Sequence, residues 1–145
     1  MIKNVILIFI VFQSLSGWTQ DLKTKIKGEW EMLQYDLSEE NDEDEEIATG
    51  IVWVFMSDNI CEERFDPNDP SKKVVYNYKI SQENCQTKTL NTNLYYLTLK
   101  NKTITGDDFC FLISEINPSN EKDKSERLSL FSHGAMSPNV LIRVD

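Results

Sequence analysis

The residue types that carry most enzyme chemistry are few in this chain, and their spacing matches no common catalytic motif. The chain has one histidine, His133, and three cysteines, none of which form a Cys-x-x-Cys pair. It has no Gly-rich phosphate loop and no Gly-x-Ser-x-Gly motif. A zinc site takes about three or four protein ligands, which these scattered residues do not supply. We therefore interpret His133 as an exposed loop residue and expect a protein without catalytic activity, metal or cofactor.

The most highly charged segment is residues 39–46, where seven of the eight side chains are carboxylates. Clustered carboxylates can bind Ca²⁺, but this run lacks the glycine and the spaced bidentate glutamate of a helix–loop–helix calcium site. Like charges at this density repel one another and favour a solvated loop. We predict an acidic loop whose carboxylates have no fixed partners, with cation binding as the alternative.

The charge of the whole chain also bears on its partners. Fifteen Lys plus Arg residues stand against 24 Asp plus Glu residues, for a formal net charge of −9. A nucleic-acid partner requires a basic surface that neutralises phosphates, so nucleic acid is not expected as a ligand. With 145 residues, the chain is long enough for one domain with its own core.

Residues 1–19 have the layout of a secretory signal peptide. An early lysine precedes an apolar run over 5–12, and small residues at Gly17 and Thr19 fit the cleavage positions. A serine pair slightly earlier is the alternative cleavage site. The apolar run is too short to span about 30 Å of hydrocarbon. We expect cleavage, secretion or export to the periplasm, no remaining transmembrane anchor, and a mature domain over 20–145.

Strand signals dominate the rest of the chain, because short runs rich in Val, Ile, Tyr, Phe and Thr alternate with turn-forming residues. Only residues 21–27 favour a helix, since Leu22 and Ile26 lie four apart. Asp58 and Asn59 favour a two-residue hairpin turn. Eight strands are predicted, over 29–36, 50–57, 60–66, 74–81, 94–100, 108–116, 126–132 and 139–144.

This succession of strands with short links predicts an all-β fold, an antiparallel up-and-down meander that closes into an eight-stranded barrel. Closure removes the exposed sheet edges that would otherwise pair with other chains. The second strand is apolar on both faces, and we expect its Trp53 and Phe55 to point inward. Candidate ligand-binding residues of the interior, with plain core packing as the alternative, are Trp53, Phe55, Tyr76, Tyr78, Tyr95, Leu97, Phe109 and Phe111.

Three residues, at the start of the first predicted strand and on the last one, belong to a known pattern. A short helix leads into Gly28 and Trp30 at the start of the first strand, and Arg143 lies on the last strand. This arrangement resembles the lipocalins and the smaller bacterial lipocalin-like domains, which pack an arginine of the last strand across that tryptophan. The family's Thr-Asp-Tyr motif is replaced here by residues 117–120. The resemblance implies a barrel that binds a small apolar molecule in its interior.

The loops of a meander alternate between the two ends of a barrel. If the helix and Trp30 plug one end, the last strand finishes at that plugged end, where Arg143 can stack on the indole. The longest of the loops at the open end is expected to act as a lid. The segments expected around the open end are 36–50, 67–73, 101–107 and 133–138.

An odd number of cysteines in an exported protein leaves one unpaired. The alternation of loops puts Cys61 and Cys85 at the plugged end, whereas Cys110 lies in the sixth strand nearer the open end. We predict a disulfide between Cys61 and Cys85, which leaves Cys110 as a buried free thiol. The alternative pairing is Cys85 with Cys110.

The leading functional hypothesis is an exported, non-catalytic, lipocalin-like barrel that binds a small apolar molecule. The alternative is a filled barrel that acts as a structural or protein-interaction module through the apolar outer face of its second strand. The sequence leaves the oligomeric state open.

Overall fold

The computed structural model describes residues 21–36, 45–106, 108–118, 126–135 and 137–145. Within them, a short helix over 21–25 leads into eight antiparallel strands whose order in the chain is also their order in the sheet. The first strand pairs with the last, so the sheet closes, and the predicted up-and-down barrel is confirmed. The strands are β1 (Gly28–Asp36), β2 (Glu45–Phe55), β3 (Ile60–Arg64), β4 (Lys73–Ser81), β5 (Tyr95–Asn101), β6 (Asp108–Pro118), β7 (Glu126–Ser132) and β8 (Asn139–Arg143).

The core lies inside the barrel and follows the period-two pattern of the strands. On β4, Tyr76, Tyr78 and Ile80 are buried while the intervening Asn77 and Lys79 are exposed. Fully burying a large apolar side chain stabilises the fold by about 1.5–3 kcal/mol. The largest fully buried side chains are Trp30, Phe55, Ile26, Leu97, Leu99, Leu128, Leu130, Leu141 and Cys61.

The plugged end is built around Trp30, which is wholly buried. The indole Nε1–H donates to the carbonyl of Ile26 at 2.7 Å, so the tryptophan holds the helix against the barrel. The guanidinium carbon of Arg143 lies 4.3 Å from the ring centroid, where the alternation of loops predicts it. Arg143 also donates to the carbonyl of Lys27 and to the carboxylate of Glu126, each at 2.7 Å. One arginine therefore ties the helix and two strands to the tryptophan.

Gly28 is required next to this arginine. Its φ of +121° lies in a region that L side chains rarely adopt. A Cβ at this position would also clash with the side chains of Arg143 and Asp145. The short Gly-x-Trp motif thus has a physical basis in the close approach of the last strand.

The turn between β2 and β3 is longer than predicted. The N–H of Met56 donates to the carbonyl of Ile60 at 2.8 Å, so three residues, 57–59, form the turn. Asn59, the last of them, has a φ of +62°. As a result Phe55 pairs with Cys61, whereas a two-residue turn would place Cys61 opposite Met56. A shift of one residue exchanges the two faces of a strand. The observed turn therefore points Cys61 into the barrel.

The predicted disulfide between Cys61 and Cys85 is wrong. Cys85 pairs with Cys110, with their Cα atoms 5.8 Å apart, and Cys61 is a buried free thiol. Cys110 pairs with Thr98 on β5 and alternates with the inward-facing Phe111, so it lies on the outer face. The long connection 82–94 therefore folds along the outer wall, and its disulfide cannot reach a thiol inside. The disulfide was predicted from the end of the barrel at which each cysteine lies, without regard to whether its side chain points inward or outward.

One carboxylate of the acidic run has a fixed partner, contrary to the prediction. Both carboxylate oxygens of Glu46 accept hydrogen bonds from the guanidinium of Arg127, each at 2.6 Å. Glu46 belongs to β2 and Arg127 to β7, and β1 and β8 lie between these strands in the sheet. The described ends of β1 and β2, beyond a bulge opposite Met32, therefore turn toward β7 on the outer side of the barrel. The described end of the predicted lid segment thus lies against the outer wall.

Two further predictions lie outside the described residues. The expected signal peptide over 1–19 is one of them, and residues 39–44 of the acidic run are the other. Among the described residues, no helix has the length and apolarity that crossing a membrane requires.

Charged side chains of β1 and β3 meet across the outer face of β2, which the sequence leaves as an apolar contact surface: Arg64 Nη1 lies 3.8 Å from Glu29 Oε1. Glu62 pairs with Val54 in the sheet, and its side chain is only 11% exposed. The carboxylate accepts hydrogen bonds from Lys73 Nζ at 2.7 Å and from Arg64 Nη2 at 2.8 Å. The hydrogen bond from Lys73, followed by that from Arg64, holds the pKa of Glu62 below its usual range.

We expect Glu62→Gln to lower the free energy of unfolding at pH 7 by about 1–3 kcal/mol, because it weakens charge-assisted hydrogen bonds at a buried site. A carboxylate with a lowered pKa in the folded state stabilises the fold above its unfolded pKa, and this contribution is lost as the pH falls through the folded pKa. The difference from the wild type should therefore shrink below about pH 4. Urea unfolding between pH 3 and pH 7 measures it. The exposed Glu83→Gln serves as the control, and a difference independent of pH would contradict this account.

Candidate functional site at the barrel mouth

The barrel contains a cavity of about 300 Å³ at its open end. We call it the mouth cavity. Its volume is at the lower limit of the range for small-molecule pockets, about 300–1,000 Å³. Every strand contributes at least one side chain to its lining, which consists of Met32, Trp53, Glu63, Tyr76, Leu99, Phe109, Phe111, Ser132 and Asn139.

Four aromatic rings form a continuous wall of this cavity. The ring centroids of Trp53 and Phe111 are 5.9 Å apart, those of Phe111 and Phe109 are 6.1 Å apart, and those of Phe109 and Tyr76 are 5.9 Å apart. These separations are typical of favourable aromatic pairs. Phe109 stands at the rim and is 40% exposed. The wall can therefore bury the apolar surface of a ligand that enters from the open end.

Glu63 is the one charged residue among the described residues that line the cavity. Its Oε1 accepts a hydrogen bond from Trp53 Nε1 at 3.2 Å, and its Oε2 accepts one from the hydroxyl of Tyr76 at 3.0 Å. Within the described part of the chain, no Lys, Arg or His side chain forms an ion pair with it. The two donors orient the carboxylate but do not neutralise its charge.

The thiol of Cys61 lies deeper in the barrel and is unreactive. Burial, together with the negative charges of Glu63 and Glu62, raises the pKa of this thiol far above its usual range. Only the thiolate acts as a nucleophile or metal ligand, so Cys61 serves as a small core residue. Burial also raises the pKa of Tyr78, whose hydroxyl donates to the carbonyl of Met56 at 3.0 Å.

The structure separates the eight ligand-binding residues that the sequence predicts. Four of them line the mouth cavity, namely Trp53, Tyr76, Phe109 and Phe111. The others lie outside its lining: Phe55, Tyr78 and Leu97 are buried in the core, and Tyr95 packs partly buried against it. The half of the barrel nearer the plugged end is therefore occupied by side chains.

Sequence reasoning missed five residues of the lining, namely Met32, Glu63, Leu99, Ser132 and Asn139. Leu99 could have been found from Leu97 by alternation along β5. Glu63 faces inward only because the β2–β3 turn pairs it with Trp53. No residue type in that turn distinguishes this register from the one that places Arg64 inside.

His133 is exposed next to Ser132 and borders a separate pocket of about 180 Å³ on the outer wall, between the long connection and β5–β7. Another outer pocket, of about 310 Å³, lies between the same connection and β4–β5. No group of three His, Cys, Asp or Glu side chains that could hold a metal occurs among the residues with described positions. The mouth cavity is the pocket that combines an aromatic wall with an oriented polar group.

Comparison of the chain with protein-family models, curated proteins and solved structures finds no match. The structure thus assigns the chain to a class by its fold, a closed antiparallel barrel with a small cavity at one end. The disulfide between Cys85 and Cys110 is typical of proteins that fold in an oxidising compartment outside the cytosol.

Proposed function

We propose that this protein is an exported, non-catalytic, lipocalin-like barrel that binds a small, largely apolar molecule in the mouth cavity. The observation that carries the proposal is the continuous aromatic wall around a cavity to which every strand contributes. Binding at such a site buries apolar surface of the ligand, at roughly 25 cal/mol per Å². The aromatic side chains are already packed against one another, so little rearrangement is needed before a ligand enters.

The rim of the barrel supports entry of an apolar ligand from the open end. Phe65 directly follows β3 and is 46% exposed, and Ile104 in the β5–β6 loop is 58% exposed. Both segments lie at the same end as Phe109. Exposed apolar patches are a feature of ligand-binding grooves, and these side chains stand around the opening of the mouth cavity.

Export and the lipocalin-like character have separate support. The signal-peptide layout of residues 1–19 and the disulfide agree with secretion or a periplasmic location. Gly28, Trp30 and Arg143 make the contacts expected from the lipocalin resemblance. The ion pairs on the outer face of β2 leave the protein-interaction alternative with less support.

The test is a titration of the mature protein with the neutral apolar fluorophore N-phenyl-1-naphthylamine. We expect saturable binding of one molecule per chain, with quenching of the Trp53 fluorescence. Ser132→Phe fills the cavity and should abolish binding. Ser114→Phe adds the same group at an exposed site on β6 and should leave binding unchanged. Absence of saturable binding to the wild type, or equal binding by both variants, would refute the proposal.

A further inference from the structure

Two adjacent carboxylates on β3 have opposite electrostatic surroundings. Glu62 points outward, where Lys73 and Arg64 both bind it. Glu63 points into the mouth cavity, where its partners are the neutral donors Trp53 and Tyr76. Among the described residues, two cationic side chains offset the charge of Glu62 and none forms an ion pair with Glu63.

We propose that the ligand of the mouth cavity is a small organic amine, whose ammonium group binds Glu63 while its apolar body packs on the aromatic wall. This inference rests on the proposed function, because it names the ligand class of the same cavity. A carboxylate has roughly four acceptor positions, and the two protein donors use one on each oxygen. The remaining positions are available to an ammonium group.

The cost of desolvation distinguishes a cationic ligand from a neutral one. A ligand that fills a cavity of about 300 Å³ displaces the water that solvates Glu63. A purely apolar molecule would leave this charge with its two neutral donors and no cation, so it should bind more weakly than an amine of similar size. An anion would add repulsion. An ammonium group replaces the displaced water with a charge-assisted hydrogen bond.

The surroundings of Glu63 also suit a cation. The faces of aromatic rings attract ammonium groups, and the four rings of the wall lie on the same cavity as the carboxylate. The chain's formal net charge of −9 raises the local concentration of cations and lowers that of anions. A cavity of about 300 Å³ accommodates a small amine, for example one with a single ring and a short alkyl chain.

The experiment compares three probes of similar size by isothermal titration calorimetry: 2-phenylethylamine, 2-phenylethanol and 3-phenylpropanoate. For the wild type, we expect the amine to bind about tenfold or more tightly than the alcohol, and the carboxylate to bind most weakly. Equal affinity for amine and alcohol would overturn the inference, and this comparison needs no variant.

Two neighbouring substitutions provide the matched pair. Glu63→Gln keeps the shape of the side chain and should reduce amine affinity about tenfold, whereas alcohol affinity should not fall, because the cost of desolvating the carboxylate is removed. Glu62→Gln removes the adjacent outward charge and should leave the preference for the amine intact. An amine preference that survives Glu63→Gln in folded protein would contradict the assignment of Glu63.

The same measurements separate this inference from the proposed function. If N-phenyl-1-naphthylamine binds in the cavity but the amine is not preferred, only the ligand class is wrong. If the fluorophore shows no saturable binding, the proposed function itself fails, whatever the three probes do.

Discussion

Trp30→Ala is expected to lower the free energy of unfolding by more than about 3 kcal/mol. The indole is wholly buried, so its removal leaves a cavity at the plugged end. The substitution also removes the hydrogen bond to the carbonyl of Ile26, which holds the helix, and the ring over which Arg143 lies. Denaturant unfolding followed by circular dichroism measures the change.

A double-mutant cycle with Arg143→Ala tests the contact itself. Arg143→Ala alone should cost less than Trp30→Ala, since the indole remains packed. The coupling energy should be about 0.5–2 kcal/mol, the range for a cation over an aromatic ring. Arg143→Lys keeps the charge but loses the planar fork that binds Lys27 and Glu126, so it should recover only part of the loss. A coupling energy near zero would show that the two side chains act independently.

The architecture was predictable because it follows from one rule of antiparallel meanders. Consecutive antiparallel strands with short links alternate between the two ends, so Trp30 and Arg143 had to meet once the helix was placed at one end. The alternation of residues along β4 likewise predicted its buried tyrosines. These inferences depend on the order of elements and on period-two patterns, both of which tolerate errors of a residue or two in strand boundaries.

The candidate site was less predictable because it depends on register, which does not tolerate such errors. Asn59 accepts a positive φ in either a two-residue or a three-residue turn. The observed turn pairs Trp53 with Glu63 and places Cys61 inside. One residue less would exchange these faces, and with them both the polar group of the cavity and the choice of cysteines for the disulfide.

The long-range contacts of the acidic run could not be predicted from sequence patterns, for a different reason. The composition of the acidic run indicates repulsion, yet Glu46 forms a bidentate ion pair with Arg127 on β7. That pair exists because the described ends of β1 and β2 turn toward β7 beyond the bulge opposite Met32. Charge density describes a segment by itself, whereas a partner 81 positions away depends on the path of the chain.

Loss of the disulfide is expected to lower the free energy of unfolding by about 3 kcal/mol. The bridge joins residues 25 positions apart, and in the chain-entropy account it restricts the unfolded chain by closing this loop. It also holds the long connection 82–94 against the outer wall. Cys110→Ala should show the full loss, and reduction of the wild type should produce the same change in chemical unfolding.

Cys61→Ala is the matched control for this prediction. Its buried thiol takes no part in the bridge, so any cost should come from packing and should be the same with and without reductant. The raised pKa of Cys61 also predicts that a thiol reagent labels it only after unfolding. Peptide mapping without reduction should recover Cys85 joined to Cys110. Recovery of Cys61 in a disulfide would place its side chain on the outer face, and the register that turns Glu63 into the mouth cavity would be wrong with it.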